Sequence, residues 1–216
     1  MFRGVFNPLN GFWRGFARLC DVVGLSVCWV VCSLPVVTVG AATAALYDAV
    51  FHGVRRGELG DYARFFRTFR DSFKPATAAT VPFLALAALL FAMWYVAFVM
   101  AAGGSREAMV WLYACRILLL APLAVWLFAM FTLSRFTFGP WALIKTAVKL
   151  VLAHLPSAAV VALLAEELAL FTYQKVFLPA FFTPGLAAFL CSLFMERIFA
   201  PYLPTETAPA EDGDEE

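Results

Sequence analysis

The sequence predicts an all-α, polytopic membrane helix bundle, with about five hydrophobic segments, the first broken at Pro35–Gly40, and accompanying amphipathic interfacial helices. Three observations lead there. Of 216 residues, 63% are hydrophobic and 14% charged, where a soluble domain carries roughly a quarter charged residues. Residues 22–47 and 76–102 contain no Asp, Glu, Lys or Arg, and a helix needs about 20 apolar residues to cross a hydrocarbon core of about 30 Å. Basic residues flank the first of these runs on both sides. No stretch remains for a separate soluble domain, so residues 1–200 form one integral membrane domain. Residues 201–216, proline-containing and ending EDGDEE, form an acidic, disordered tail.

In chain order, Phe2, Val5, Phe6, Leu9, Phe12, Trp13, Phe16 and Leu19 recur at steps of three and four, with Arg3, Arg14 and Arg18 elsewhere on the wheel. That pattern predicts an amphipathic surface segment, interrupted near Asn7-Pro8 and Gly11. An N-terminal signal peptide is the weaker reading, because the apolar run starts late and aromatics sit among the arginines. The run 22–47 is then broken by Pro35, Thr38 and Gly40. Proline lacks an N–H and disfavours helix at the residue before it. Residues 57–75 place Phe65, Phe66, Phe69 and Phe73 among Arg64, Arg67, Arg70 and Lys74, and Pro75 follows. This reads as a second interfacial, basic-aromatic helix. Further spans are expected over 76–102, 108–134, 150–165 and 176–195, with Pro156 and Pro184 as kinks in the last two.

Loop charges orient the chain. Segment 48–75 holds six Lys or Arg, and loop 135–149 holds three. Both, with the C-terminus, are expected on the cytoplasmic side. If 22–47 crosses once, the N-terminal arginines lie outside. If it enters and returns as a hairpin, they lie inside, and the bias is stronger. Each arm would then be about 13 residues, or ~20 Å. A single kinked span remains the alternative.

Few residues suggest chemistry. Arg116 interrupts an apolar run and needs a partner, a cavity or an interface. Glu166 and Glu167, at the end of the next span, are candidates to pair with it, as a structural clamp or as a polar site. His154, two residues before Pro156, either titrates or caps the backbone that the proline frees. Cys28 and Cys32 share a helical face but lack further ligands nearby, and only two histidines occur, so neither a metal nor a cofactor is expected. No GxxxxGK[ST], HExxH or GxSxG motif is present, and a Ser33 or Thr38 nucleophile with His154 has no supporting pattern. Net charge is +1, which points away from nucleic acid.

Asn7-Pro8, Leu19-Cys20-Asp21, Trp29 and above all the run SLPVVTVGAATAALY from Ser33 to Tyr47 resemble the YesL family of bacterial membrane proteins. Residues 65–74, FFRTFRDSFK, are similar to that family's aromatic–basic segment, and the likeness covers residues 1–80. It departs at Ser26, where the family often has Asn. The resemblance implies a multi-pass protein of the cytoplasmic membrane of Gram-positive bacteria, without known catalytic residues, whose relatives are often encoded beside carbohydrate-uptake and polysaccharide-degradation genes. The expectation is therefore a non-enzymatic accessory or regulator of carbohydrate uptake. Its partners would be the lipid bilayer and either ABC sugar permease subunits or a sensor kinase. The alternative is a small homo-oligomeric transporter or channel, with a polar site around the broken first segment and Arg116.

Overall fold

A computed structural model describes residues 11–56, 61–103, 106–136, 139–175 and 181–199. The expected interruption at Asn7-Pro8, the start of the fifth hydrophobic segment and the acidic tail lie outside these residues. The described chain is helical and contains no strand. Helix α1 runs Gly11–Cys32 and α2 runs Val39–Ala49, continuing into a π turn over Val50–Arg55. The rest comprises α3 (Asp61–Ala102), α4 (Arg106–Leu133), α5 (Pro140–Ala153), α6 (Leu155–Lys175) and α7 (Thr183–Phe199).

The first apolar run is a helical hairpin. Trp29 Nε1 donates to Thr43 Oγ1 at 3.2 Å, whereas residues 14 apart in one continuous helix are separated by about 21 Å. Val22 and Leu25 of α1 pack against Ala45, Leu46, Ala49 and Val50, further along the return arm. Between the arms, Pro35 starts a single 3₁₀ turn, Val36–Thr38. The N–H groups of Ser33 and Leu34 reach back to the carbonyls of Trp29 and Val31. The Thr38 hydroxyl lies 2.5 Å from the carbonyl of Cys32 and 2.6 Å from that of Pro35. The break thus bonds part of its own backbone, which lowers the cost of placing it in hydrocarbon. The arms are longer than the sequence suggested: α1 alone has 22 residues, or about 33 Å. Residues 11–19 are its first turns, not a separate surface helix.

Helix α2 buries Gly40, Ala41, Ala42, Ala44, Ala45 and Ala49. These small residues let it approach α3 and α4 closely. A Cβ on Gly40 would collide with Thr80 Oγ1 and lie 3.2 Å from the Ala76 carbonyl. Further along, Asp48 bonds Thr68 and Gly53 abuts Asp61. So α2 runs antiparallel to the first half of α3, and the hairpin ends level with about Thr80–Phe83. Beyond that level α3 continues for roughly 20 residues, about 30 Å, packed chiefly on the first half of α4.

This corrects the reading of 57–75 as an independent interfacial helix ended by Pro75. The described part is the start of a 42-residue helix that contains both Pro75 and Pro82. A proline removes one N–H bond and crowds the preceding turn. Here the helix is held on either side by an inward stripe of Phe65, Ser72, Ala76, Ala79 and Thr80. Phe69 joins it half-buried, while Tyr62, Phe66 and Phe73 face outward. Segment 150–165 is likewise not one span. The backbone leaves helix at His154 (φ −129°, ψ 46°), dividing α5 from α6. Pro156 and Pro184 are each the second residue of a helix, where a missing N–H has no intrahelical partner to lose, so they start helices and do not kink them. Among the described residues four helical stretches are long and apolar enough to cross a membrane: Val36–Gly53, Asp61–Ala102, Glu107–Leu133 and Leu155–Thr172.

Two expectations follow. Gly40→Leu should cost about 1–3 kcal/mol by overpacking, read as a lower unfolding midpoint in detergent; an unchanged midpoint would contradict the close α2–α3 contact. In a background without the other cysteines, exposed Cys20 and an Asp71→Cys variant should react with an impermeant maleimide from the same side of the membrane. Reaction from opposite sides would mean that the hairpin crosses.

Candidate functional site

Among the described residues the structure gathers two polar clusters, and apolar cavities lie between its helices. The first cluster joins the far end of α2, the start of α3 and the ends of α4 and α7. Arg135, just past α4, is nearly buried, with its side chain 9% exposed, and donates from Nη2 to Glu196 Oε1 at 2.6 Å. Its guanidinium carbon sits 3.7 Å from the centroid of the Phe51 ring, a cation–π placement. Its Nη1 is 3.0 Å from His52 Nε2. Arginine only donates, so that histidine nitrogen accepts. Asp48 Oδ1 lies 3.5 Å from the same nitrogen, and Asp48 Oδ2 accepts from the Thr68 hydroxyl at 2.7 Å. Tyr47, stacked on Phe131, donates to Glu196 at 3.2 Å. His52 sits within the π turn, a local distortion often found at functional positions. The cluster orders four chain segments around one guanidinium, whose Nε is buried and has no hydrogen-bond partner among the described residues.

Arg116, Glu166 and Glu167 form the second cluster. Arg116 Nε donates to Glu166 Oε1 at 2.6 Å, and Nη2 bonds Glu167. Glu166 is 11% exposed and Glu167 is 62% exposed. Glu166 Oε2 is buried and accepts no hydrogen bond among the described residues. The cluster ties α4 to α6 at the surface of the bundle.

His154 belongs to neither cluster. It is the residue after α5: its N–H bonds the Leu150 carbonyl, and its own carbonyl accepts from Ala158. Among the described residues its Nδ1 is buried without a partner, as is the Ser33 hydroxyl, and Thr38 spends its hydroxyl on backbone. No hydroxyl–imidazole pair of the nucleophilic kind results. Pro35, Thr38 and Gly40 build the hairpin turn and its packing. Ser26, where the family resemblance broke down, is buried and structural: it donates to the Val22 carbonyl and accepts the Gly185 N–H. Among the described residues no three His, Cys, Asp or Glu side chains gather as metal ligands would.

A cavity of about 460 Å³ lies between the hairpin, α3, α4, α6 and α7. Sequence reading missed both this cavity and the Arg135 cluster, whose members lie 61 to 149 residues from Glu196. The available signal was a solitary arginine and a solitary glutamate, each at the end of an apolar run.

Arg135→Leu should leave Glu196 buried without its partner and cost about 3–5 kcal/mol. The double variant with Glu196→Leu should recover most of that loss. A full additive loss in the double variant, measured by unfolding in detergent, would remove the pair from the stability account.

Residues 22–94 match a family model described as "Protein of unknown function, DUF624". The match takes in the second half of α1, the hairpin turn, α2 and most of α3, and excludes Arg116, Arg135, Glu166, Glu167 and Glu196. No curated protein and no solved structure matches the chain. To this extent the chain is similar to a family described without a function.

Proposed function

We propose that the chain is a non-enzymatic, multi-pass membrane protein that assists or regulates carbohydrate uptake, through contact with ABC sugar permease subunits or a sensor kinase. One observation supports this reading above the others: the first turns of α3 are a rigid basic-aromatic ridge. Phe65 and Ser72 anchor it to the bundle, while Phe66, Arg67, Arg70, Phe73 and Lys74 are exposed. A helix already fixed by tertiary packing loses little conformational freedom when a partner binds it. Its mixed aromatic and cationic face suits an acidic, partly apolar surface at the cytoplasmic boundary. The pathway rests on the YesL resemblance.

The second reading, a small homo-oligomeric transporter or channel, draws on the cavity beside the broken first segment. Its wall is apolar, which suits hydrocarbon better than a sugar. The Arg116 and Arg135 clusters are engaged in ion pairs.

Affinity purification of the tagged chain from its host in mild detergent should recover permease, solute-binding or sensor-kinase subunits at near-stoichiometric yield. The Arg67→Glu/Arg70→Glu variant, expressed equally, should lose them. Recovery of the chain alone, or equal recovery with the variant, would defeat the reading. Sugar uptake by liposomes containing only this chain would favour the transporter.

A further inference from the structure

We propose that the cavity between the hairpin and α3, α4, α6 and α7 is a binding site for one hydrocarbon chain of a bilayer lipid. It rests on the cavity alone and is independent of the basic face of α3.

The wall selects the class of ligand. Trp29, Phe83, Trp126, Leu127, Leu168 and Cys191 supply most of its chemical variety, and among the described residues none presents a buried side-chain nitrogen or oxygen without a partner; the Cys191 thiol is only a weak donor. The polar groups at the wall are bonded to protein: Trp29 Nε1 to Thr43, Trp126 Nε1 to Thr80 at 3.1 Å, and Thr172 to both the Leu168 carbonyl and Thr183 at 2.8 Å. A water, ion or sugar needs several unpaired donors or acceptors, and the described wall offers little beyond one thiol. A hydrocarbon chain needs only dispersion contact, which the apolar lining side chains supply. The volume, about 460 Å³, has room for roughly fifteen methylenes if each occupies about the space of one water, ~30 Å³.

Position selects the source. Phe83 and Trp126, stacked at 5.0 Å, lie in α3 and α4, two helices long and apolar enough to cross a bilayer. Helix α1 packs on α2 and α7, and α6 packs on α4 and α7, but α1 and α6 share at most isolated contacts. Both contribute to the wall. Beside it, Val31 on α1 and Phe171 on α6 are more than half exposed. The gap between these helices therefore continues the apolar outer surface inward, and a chain enters from the surrounding lipid without leaving hydrocarbon.

The test uses Trp126, which lines the cavity yet is only 9% exposed. A variant with the other five tryptophans changed to Phe is placed in nanodiscs of phosphatidylcholine with plain or brominated acyl chains. Bromine must come within about 4–4.5 Å for side-chain contact, so a chain in the cavity should cut Trp126 emission roughly two-fold. Adding Ala165→Phe, which fills the wall from α6, should remove the quenching. Equal emission in the two lipids, or equal quenching after filling, overturns the proposal. If the five-fold variant fails to fold, native mass spectrometry of the unaltered protein decides. One retained phospholipid, lost on Ala165→Phe, supports the site, and none retained overturns it.

Discussion

The close approach of α2 to α3 and α4 is the constraint on which the other features depend. Inside a bilayer, helices gain nothing from escaping water, and they associate through van der Waals contact and internal hydrogen bonds. Six buried Gly and Ala positions between Gly40 and Ala49 make that contact possible. Because α2 lies this near, Tyr47 stacks on Phe131 and Asp48 reaches Thr68. His52 and Phe51 can then meet Arg135. The hairpin turn serves the same contact: the Thr38 hydroxyl and the 3₁₀ turn satisfy the carbonyls freed at Pro35, and the return arm starts at once with Gly40 against Thr80.

The two arginine clusters solve one electrostatic problem in different ways. A charge taken out of water must be paired and hydrogen-bonded. Arg135 meets that demand with one carboxylate, one imidazole nitrogen and an aromatic face, and Glu196 is shared with Tyr47. It thereby joins four segments at one end of the bundle. Arg116, in a helix long and apolar enough to span a membrane, pairs with two adjacent carboxylates on α6 and joins two helices at the surface of the bundle. Neither arrangement resembles a nucleophile with its base. The cavity is a third kind of feature, apolar throughout, and it separates what the interior can hold from what the basic ridge of α3 can touch.

The helical class, the membrane-type hydropathy and the break near Pro35 were legible in the sequence, because each rests on local composition and on the missing proline N–H. Proline was misleading elsewhere. Pro75 was read as a terminator, yet α3 passes through it, since the packing of Phe65, Ser72 and Ala76 outweighs one lost hydrogen bond. Pro156 was read as a kink, yet it begins a helix. A proline's local effect is fixed, but whether a helix ends there depends on what the flanking turns pack against. Helical periodicity in 62–74 was equally incomplete: it grouped Phe66 and Phe73 with Phe65, and α2 covers only part of that stripe.

The sequence by itself determined that the chain is a helical bundle of membrane character with a broken first segment. It also marked Arg116, Glu166 and Glu167 as charges in need of partners, because an unpaired charge in an apolar run is costly wherever the run lies. Only the tertiary structure decided that the broken segment folds back as a hairpin, that Arg135 is the hub of a polar network joining four segments, and that six helices line an apolar cavity. These depend on contacts between residues such as Tyr47 and Glu196, 149 positions apart. Their register is set by how closely the small residues of α2 let neighbouring helices approach, and no local pattern encodes that distance.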